Sequence, residues 1–249
     1  MHEFEVELPT VDGTLDCFVC HPEEKGPYPG IILYMDAPGI REELRDMVRR
    51  LATTGYTVML PNMYYRIGRE GHYGYDRALM GIEDGHRERM FECMNTLTNA
   101  MVIADTSAML EFLRDHDAVA PAPFGCFGYC MSGRYVVSVA ASYPDDFAAI
   151  ASFYGVGIVT EEDDSPHLQA NKIKGELYLA FASHDDYVPP GLLDRMPGIF
   201  AEAGTNHRVE IYPDTEHGFA FPERQIYVKA AGERHWERLH ALFERNMKK

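Results

Sequence analysis

The segment Phe124-Gly-Cys-Phe-Gly-Tyr-Cys-Met-Ser-Gly-Arg-Tyr135 passes from an apolar, strand-like stretch into a helical pattern. Cys130 stands at the change, with Gly128 two residues before it and Ser132 two residues after it. A nucleophile elbow has this pattern, because the strand and the helix pack so tightly around the nucleophile that only small side chains fit beside it. We therefore predict that Cys130 is a nucleophile at a helix N-terminus, where the helix dipole stabilises a thiolate.

The elbow also predicts where the negatively charged oxygen of a reaction intermediate would bind. The backbone N–H of Met131 is expected to be one donor to this oxyanion. The loop around Ala37, which follows a predicted strand at 30–35, is expected to supply the other. Taken alone, the pattern around Cys130 also fits a buried structural thiol, and we interpret Cys126 in that way.

Two residues in later loops complete a catalytic arrangement. Asp185 follows a predicted strand at 176–182, and His217 follows another at 208–212. In an α/β-hydrolase, the acid and then the histidine come after the nucleophile in the chain, each at the end of a later strand. We therefore expect His217 to take the thiol proton and Asp185 to fix the tautomer of its imidazole. The adjacent Asp186 is a competing choice for the acid.

The rest of the chain alternates short β-rich runs with longer helical stretches. This alternation predicts an α/β fold with a mostly parallel central sheet and helices on both faces. Asp12-Gly13 is typical of a hairpin turn, so we expect the sheet to begin with an antiparallel hairpin. With no repeat or linker, residues 1–249 are predicted to form one domain. Predicted strands are 3–8, 14–20, 57–60, 124–128 and 148–153; predicted helices are 40–54, 86–116 with or without a central break, 131–142, 191–203 and 223–246; 62–85 is predicted to be a long loop.

The composition excludes several classes of function. Asp and Glu number 39 against 23 Lys and Arg, which gives a net charge of −16 and a surface that repels nucleic acids and anionic membranes. No secretory signal is recognisable, and no stretch approaches the roughly 18 apolar residues of a membrane span. The five cysteines are an odd number and fit a reducing compartment, so we expect a cytoplasmic protein with free thiols.

Several of these segments together resemble the dienelactone hydrolase family, the carboxymethylenebutenolidase-like α/β-hydrolases. The resemblance covers nearly the whole chain and is carried by Gly128-Tyr-Cys-Met-Ser-Gly133, Phe153-Tyr-Gly-Val-Gly157, Asp185 with Val188-Pro189, and His217-Gly-Phe219. It implies an α/β-hydrolase fold and a Cys130, His217, Asp185 triad. It also implies hydrolysis of esters or lactones through an acyl-thioester, with no cofactor and no metal.

The resemblance extends to residues around the expected site. Asp36 stands where the family has a Glu implicated in activating the thiol, although it could instead cap the helix that begins near Ile40. The family binds a substrate carboxylate with two arginines, of which Arg87 matches one. Phe221 stands at the position of the other, so an ester or lactone with less charge than dienelactone becomes the favoured substrate.

Other features have more than one interpretation. An aromatic cluster that includes Tyr64, Tyr73 and Tyr75 could line the substrate pocket or cover the sheet edge. Cys17 and Cys20 are interpreted as structural, because residues three apart in a strand face opposite sides. The predicted function is hydrolysis of a small-molecule ester or lactone by a monomer or homodimer. The alternatives are a redox-sensing or binding protein without turnover, and a hydrolase of thioesters or other activated acyl groups.

Overall fold

A computed structural model describes residues 1–24 and 26–248. The chain divides after Ala120 into two compact units, which we call the N-terminal unit and the C-terminal unit. Each unit is described by itself below. None of the described helices combines the length and the apolar character that a bilayer crossing requires.

The N-terminal unit contains four strands in the order β1-β2-β4-β3. As predicted, the first two strands form an antiparallel hairpin, with Thr10 opposite Gly13 at its turn. The second strand pairs antiparallel with β4, and β3 pairs parallel with β4. Its elements are β1 (His2–Thr10), β2 (Gly13–His21), β3 (Gly30–Tyr34), α1 (Glu42–Ala52), β4 (Thr57–Pro61), α2 (His86–Thr96) and α3 (Asn99–Asp115).

The C-terminal unit contains four strands that are all parallel, in the order β5-β6-β7-β8. The strand β5 is buried along its whole length, as expected of an apolar strand in a covered parallel sheet. Because parallel strands end at the same sheet edge, the loops after β5, β7 and β8 come together there. The elements are β5 (Phe124–Tyr129), α4 (Ser132–Ser142), β6 (Phe147–Phe153), β7 (Glu176–His184), α5 (Leu192–Glu202), β8 (His207–Glu216) and α6 (Lys229–Met247).

Several boundaries differ from the predicted ones. The helical stretch predicted at 86–116 has the central break that the sequence left open, because the Thr98 hydroxyl accepts a hydrogen bond from the N–H of Met101 and starts a second helix. The last helix begins at Lys229 and not near 223, since the chain first makes a series of turns. Strand β8 continues past 212 to Glu216, so His217 follows it directly. Short 3₁₀ helices at Arg77–Leu79 and Pro166–Lys172 were not predicted.

Candidate active site

Cys130 occupies the turn between β5 and α4. Its φ of 55° lies in the left-handed region, which side chains other than glycine rarely adopt. The backbone holds it there: the Cys130 N–H donates to the carbonyl of Phe153 at 3.1 Å, and its carbonyl accepts from the N–H groups of Gly133 and Val156 at 3.1 and 3.0 Å. The turn therefore presents the Cys130 side chain where a helix begins and its first N–H groups have no helical partners.

Small residues make this turn possible. A Cβ at Gly128 would lie 2.9 Å from the Cβ of Ser132, and a Cβ at Gly133 would lie 2.2 Å from the Cα of Gly155. Contacts this short are not tolerated between real atoms, so glycine is required at both positions. Gly128 and Ser132, the small residues on either side of Cys130, therefore lie in close contact with each other.

His217 and Asp185 meet in the loops that follow β8 and β7. The Nδ1–H of His217 donates to Oδ2 of Asp185 at 2.9 Å, and the Asp185 side chain is fully buried. The other carboxylate oxygen, Oδ1, accepts the backbone N–H of Tyr187 at 3.0 Å. Asp185 is therefore fixed on both oxygens, and it is Asp185 rather than the exposed Asp186 that pairs with the imidazole.

The electrostatics of His217 connect it to Cys130. Burial alone would lower the pKa of His217, but its hydrogen bond to Asp185 and the nearby Cys130 sulfur raise that pKa to about 9. The Nε2 atom of His217 is buried and makes no hydrogen bond with the described residues. Because the carboxylate holds Nδ1, Nε2 is the nitrogen that can exchange a proton with a nucleophile.

Two aromatic rings that the sequence pattern does not assign to the site pack against His217. The Tyr154 ring meets the imidazole edge-on at 5.0 Å, and the Tyr187 ring lies at 4.7 Å. Tyr154 has a φ of 40° and follows β6, whereas Tyr187 is 46% exposed. Both fall in segments that carry the family resemblance, and that placement was the only sequence feature pointing to them.

The two predicted oxyanion donors have defined surroundings within their own units. Met131 follows Cys130, is 1% exposed and immediately precedes α4. Ala37 is 3% exposed and lies in a turn closed by a hydrogen bond from the N–H of Gly39 to the carbonyl of Asp36 at 3.0 Å. No described residue accepts a hydrogen bond from the Ala37 N–H. A buried donor of this kind can bind an anionic oxygen.

Asp36 is fully buried and paired with Arg41. The guanidinium donates to both carboxylate oxygens, at 2.5 and 3.1 Å, and also to Glu43. Burial alone would lower the pKa of Arg41, but the two carboxylates raise it, so the cation persists. The helix α1 has no side-chain N-cap, so Asp36 does not cap it.

The predicted substrate-binding residues lie in three different settings. Tyr64 is fully buried, and its hydroxyl donates to the carbonyl of Ala37 at 2.9 Å. Arg87 is exposed on α2, with its guanidinium 5.8 Å from the ring of Phe91. Phe221 is fully buried in the C-terminal unit, where Tyr129 lies 5.0 Å from its ring and the Arg224 guanidinium lies 4.9 Å from it.

The five cysteines differ in exposure. Cys130 is partly exposed, whereas the other four are buried. Burial raises the pKa of each of those four thiols, which keeps them protonated and unreactive. Within the described residues, no group of three or more His, Cys, Asp or Glu side chains is arranged to hold a metal ion.

Comparison with known proteins identifies the family. A family model described as "Dienelactone hydrolase family" matches residues 15–247. The chain belongs to the dienelactone hydrolase family. The α/β-hydrolase fold predicted from the sequence, with its antiparallel hairpin followed by mostly parallel strands, is thereby confirmed. Membership also establishes the protein as a hydrolase of the dienelactone hydrolase type.

Relatives match over most of their lengths. A protein of Synechocystis sp. named "Putative carboxymethylenebutenolidase" is 27% identical over 246 residues, which span 98% of this chain and 96% of the relative. The carboxymethylenebutenolidase of Rhodococcus opacus is 25% identical over 218 residues, or 86% of this chain and 80% of its own. A crystal structure titled "Putative Dienelactone Hydrolase", from Klebsiella pneumoniae, superposes with a TM-score of 0.84 at 23% identity, covering 97% and 98% of the two chains.

Proposed function

We propose that this member of the dienelactone hydrolase family hydrolyses small ester or lactone substrates through Cys130, His217 and Asp185, without a cofactor. The observation that carries the proposal is the state of His217. Its imidazole is held by a buried carboxylate, and its pKa is raised to about 9 by that carboxylate and by the Cys130 sulfur together. This is the electrostatic coupling expected between a nucleophile and its base.

In the first half of the reaction, His217 holds at Nε2 the proton that Cys130 has given up, in agreement with its pKa of about 9, and the Cys130 thiolate attacks the carbonyl carbon. The carbonyl oxygen becomes an oxyanion that accepts hydrogen bonds from the N–H groups of Met131 and Ala37. When the tetrahedral intermediate collapses, the bond to the alkoxide breaks and His217 returns its proton to that leaving group. An acyl-thioester on Cys130 remains.

In the second half, acylation of the Cys130 sulfur allows His217 to act as a base toward water. A thioester carries no charge, so the contribution of the Cys130 thiolate to the high pKa of His217 is lost. The neutral imidazole then takes a proton from water, and the resulting hydroxide attacks the thioester. Cleavage of the carbon–sulfur bond releases the acid and leaves its electron pair on sulfur, so the Cys130 thiolate and the protonated His217 are restored together.

We assign Asp36 a supporting part in forming the thiolate. Its carboxylate is already bound by Arg41 through both oxygens. Because that ion pair offsets its charge, we expect Asp36→Asn to slow acylation less than Asp185→Asn does.

Three features favour substrates with little charge. The chain has a net charge of −16, Phe221 stands in place of one family arginine, and Arg87 is exposed. We therefore propose esters or lactones with little charge as substrates. We propose Arg87 and Phe221 as residues that shape their binding, and Tyr64 as a residue that acts on the site through the Ala37 carbonyl. A cytoplasmic location and a monomeric or homodimeric state complete the proposal.

The test compares Cys130→Ala with Cys126→Ala, which removes a buried thiol in β5, four residues before Cys130. Both are assayed on a nitrophenyl ester and a simple lactone, and mass spectrometry seeks an acylated Cys130. We expect Cys130→Ala to lose at least about 10³-fold in rate and Cys126→Ala to stay within a few-fold of the parent. Activity of Cys130→Ala near that of the parent would refute the mechanism. A reactive Cys130 in a parent without turnover would favour a redox sensor.

A further inference from the structure

Side chains of the N-terminal unit hold three successive carbonyls of the loop 36–39, which we call the oxyanion loop. The Tyr64 hydroxyl donates to the carbonyl of Ala37 at 2.9 Å. The Tyr75 hydroxyl is shared between the carbonyls of Pro38 at 3.2 Å and Ala37 at 3.4 Å. Arg41 donates to the carbonyl of Gly39 at 3.2 Å. A loop whose carbonyls are all held in this way cannot rotate its peptide planes freely.

The Ala37 N–H belongs to a peptide whose orientation is set from both sides. The preceding carbonyl, of Asp36, accepts the Gly39 N–H at 3.0 Å, and in a planar trans peptide this carbonyl and the Ala37 N–H point in opposite directions. The following peptide ends at Pro38, which has no N–H, so its carbonyl is the only polar group through which it can be held. Tyr64 and Tyr75 bind that carbonyl.

We propose that Tyr64 and Tyr75 are positioning residues that aim the Ala37 N–H at the oxyanion. The inference rests on the proposed function, in which this N–H is an oxyanion donor. One such donor is worth about 10²–10³-fold in kcat, and only while it is correctly placed. A hydroxyl that holds the donor acts on the transition state without touching the substrate.

The tyrosines themselves are held rigidly. The rings of Tyr64 and Tyr73 meet edge-on at 5.3 Å, and those of Tyr73 and Tyr75 lie 5.8 Å apart. Burial raises the pKa of Tyr75, so its hydroxyl stays protonated and can donate throughout the physiological range. Gly39 has a φ of 83°, and a Cβ there would lie 2.8 Å from Cε2 of Tyr73, so the loop packs directly on the cluster.

Tyr73 offers a matched control. It is buried like its neighbours and its ring contacts both of theirs, but its hydroxyl donates to Oδ1 of Asn62 at 2.9 Å and not to the oxyanion loop. Removing the Tyr73 hydroxyl therefore disturbs the same cluster, whereas removing that of Tyr64 or Tyr75 frees a loop carbonyl.

The experiment uses Tyr64→Phe, Tyr75→Phe, the double variant and Tyr73→Phe in the full chain. Two reactions of Cys130 are timed: acylation by a nitrophenyl ester, which forms an oxyanion, and alkylation by iodoacetamide, which does not. We expect each single loop variant to acylate about 10-fold more slowly and the double variant up to about 100-fold more slowly, with KM little changed. Alkylation should stay within about twofold in all variants, and Tyr73→Phe should resemble the parent in both reactions.

Three results would overturn the inference. Acylation by the Tyr64 and Tyr75 variants at the rate of Tyr73→Phe would show that their hydroxyls position nothing. A parallel fall in alkylation would place the effect on the thiol. A parent that is never acylated would refute the proposed function, and the inference with it. If Tyr64→Phe does not fold, as judged by circular dichroism, Tyr75→Phe alone decides, since its hydroxyl is bound more loosely.

Discussion

Replacing Asp185 with Asn tests the state of His217 directly. The pKa of His217 rises from the ordinary 6.5 to about 9, which corresponds to roughly 3 kcal/mol in favour of the imidazolium at about 1.4 kcal/mol per pH unit. The carboxylate of Asp185 and the Cys130 sulfur share this effect against the opposing effect of burial. Asp185→Asn keeps the shape of the side chain but removes its charge. We expect the pKa of His217 to fall by at least about one unit and kcat to fall by about 10²–10⁴-fold.

The assay is an NMR titration of protein labelled with ¹³C at histidine Cε1. The chain has 11 histidines, and the spectrum of His217→Gln assigns the resonance of interest. Asp186→Asn is the matched control, because Asp186 is adjacent in sequence but exposed; it should leave the His217 pKa unchanged. Cys130→Ala measures the share due to the sulfur. An unchanged pKa in Asp185→Asn, or an equal fall in Asp186→Asn, would refute our account of the triad.

Gly133→Ala should lower the melting temperature sharply, because the added Cβ would lie 2.2 Å from the Cα of Gly155. Gly198→Ala, in α5 and facing open space, should instead stabilise the protein by about 0.5–1 kcal/mol; equal melting temperatures would contradict the packing argument. Because the pKa of His217 is raised to about 9, its imidazolium persists above the usual range and attracts anionic reagents. The ratio of iodoacetate to iodoacetamide alkylation rates at Cys130 should therefore stay high up to about pH 9, and a fall centred on 6.5 would contradict this.

The sequence predicts two kinds of feature in the site: a turn that needs small residues, and catalytic residues whose order along the chain is fixed. Gly128 indicates the elbow because an added Cβ there would lie 2.9 Å from the Cβ of Ser132. Asp185 and His217 were found because each follows a parallel strand, and the ends of parallel strands meet at one edge. The choice of Asp185 over Asp186 came from its register with Val188-Pro189, and the hydrogen bond to His217 agrees with that choice.

The parts that sequence missed depend on which atom a long side chain reaches. Nothing in the spacing of Asp36 and Arg41 distinguishes a buried ion pair from a helix cap. The targets of the Tyr64 and Tyr75 hydroxyls are backbone carbonyls, and every residue has one, so no residue pattern could identify them. The end of β8 was also misplaced. Proline has no N–H for a ladder hydrogen bond, so Pro213 gives no sign of a continuing strand, yet β8 extends to Glu216.

The left-handed backbone at Cys130 implies a conflict between stability and chemistry. A residue other than glycine costs about 1 kcal/mol or more in that conformation, so a chain selected only for thermal stability would carry glycine at 130. Protein engineering that selects substitutions by stability alone would therefore favour Cys130→Gly, which removes the proposed nucleophile. The position would need to be held constant while the rest of the protein is optimised.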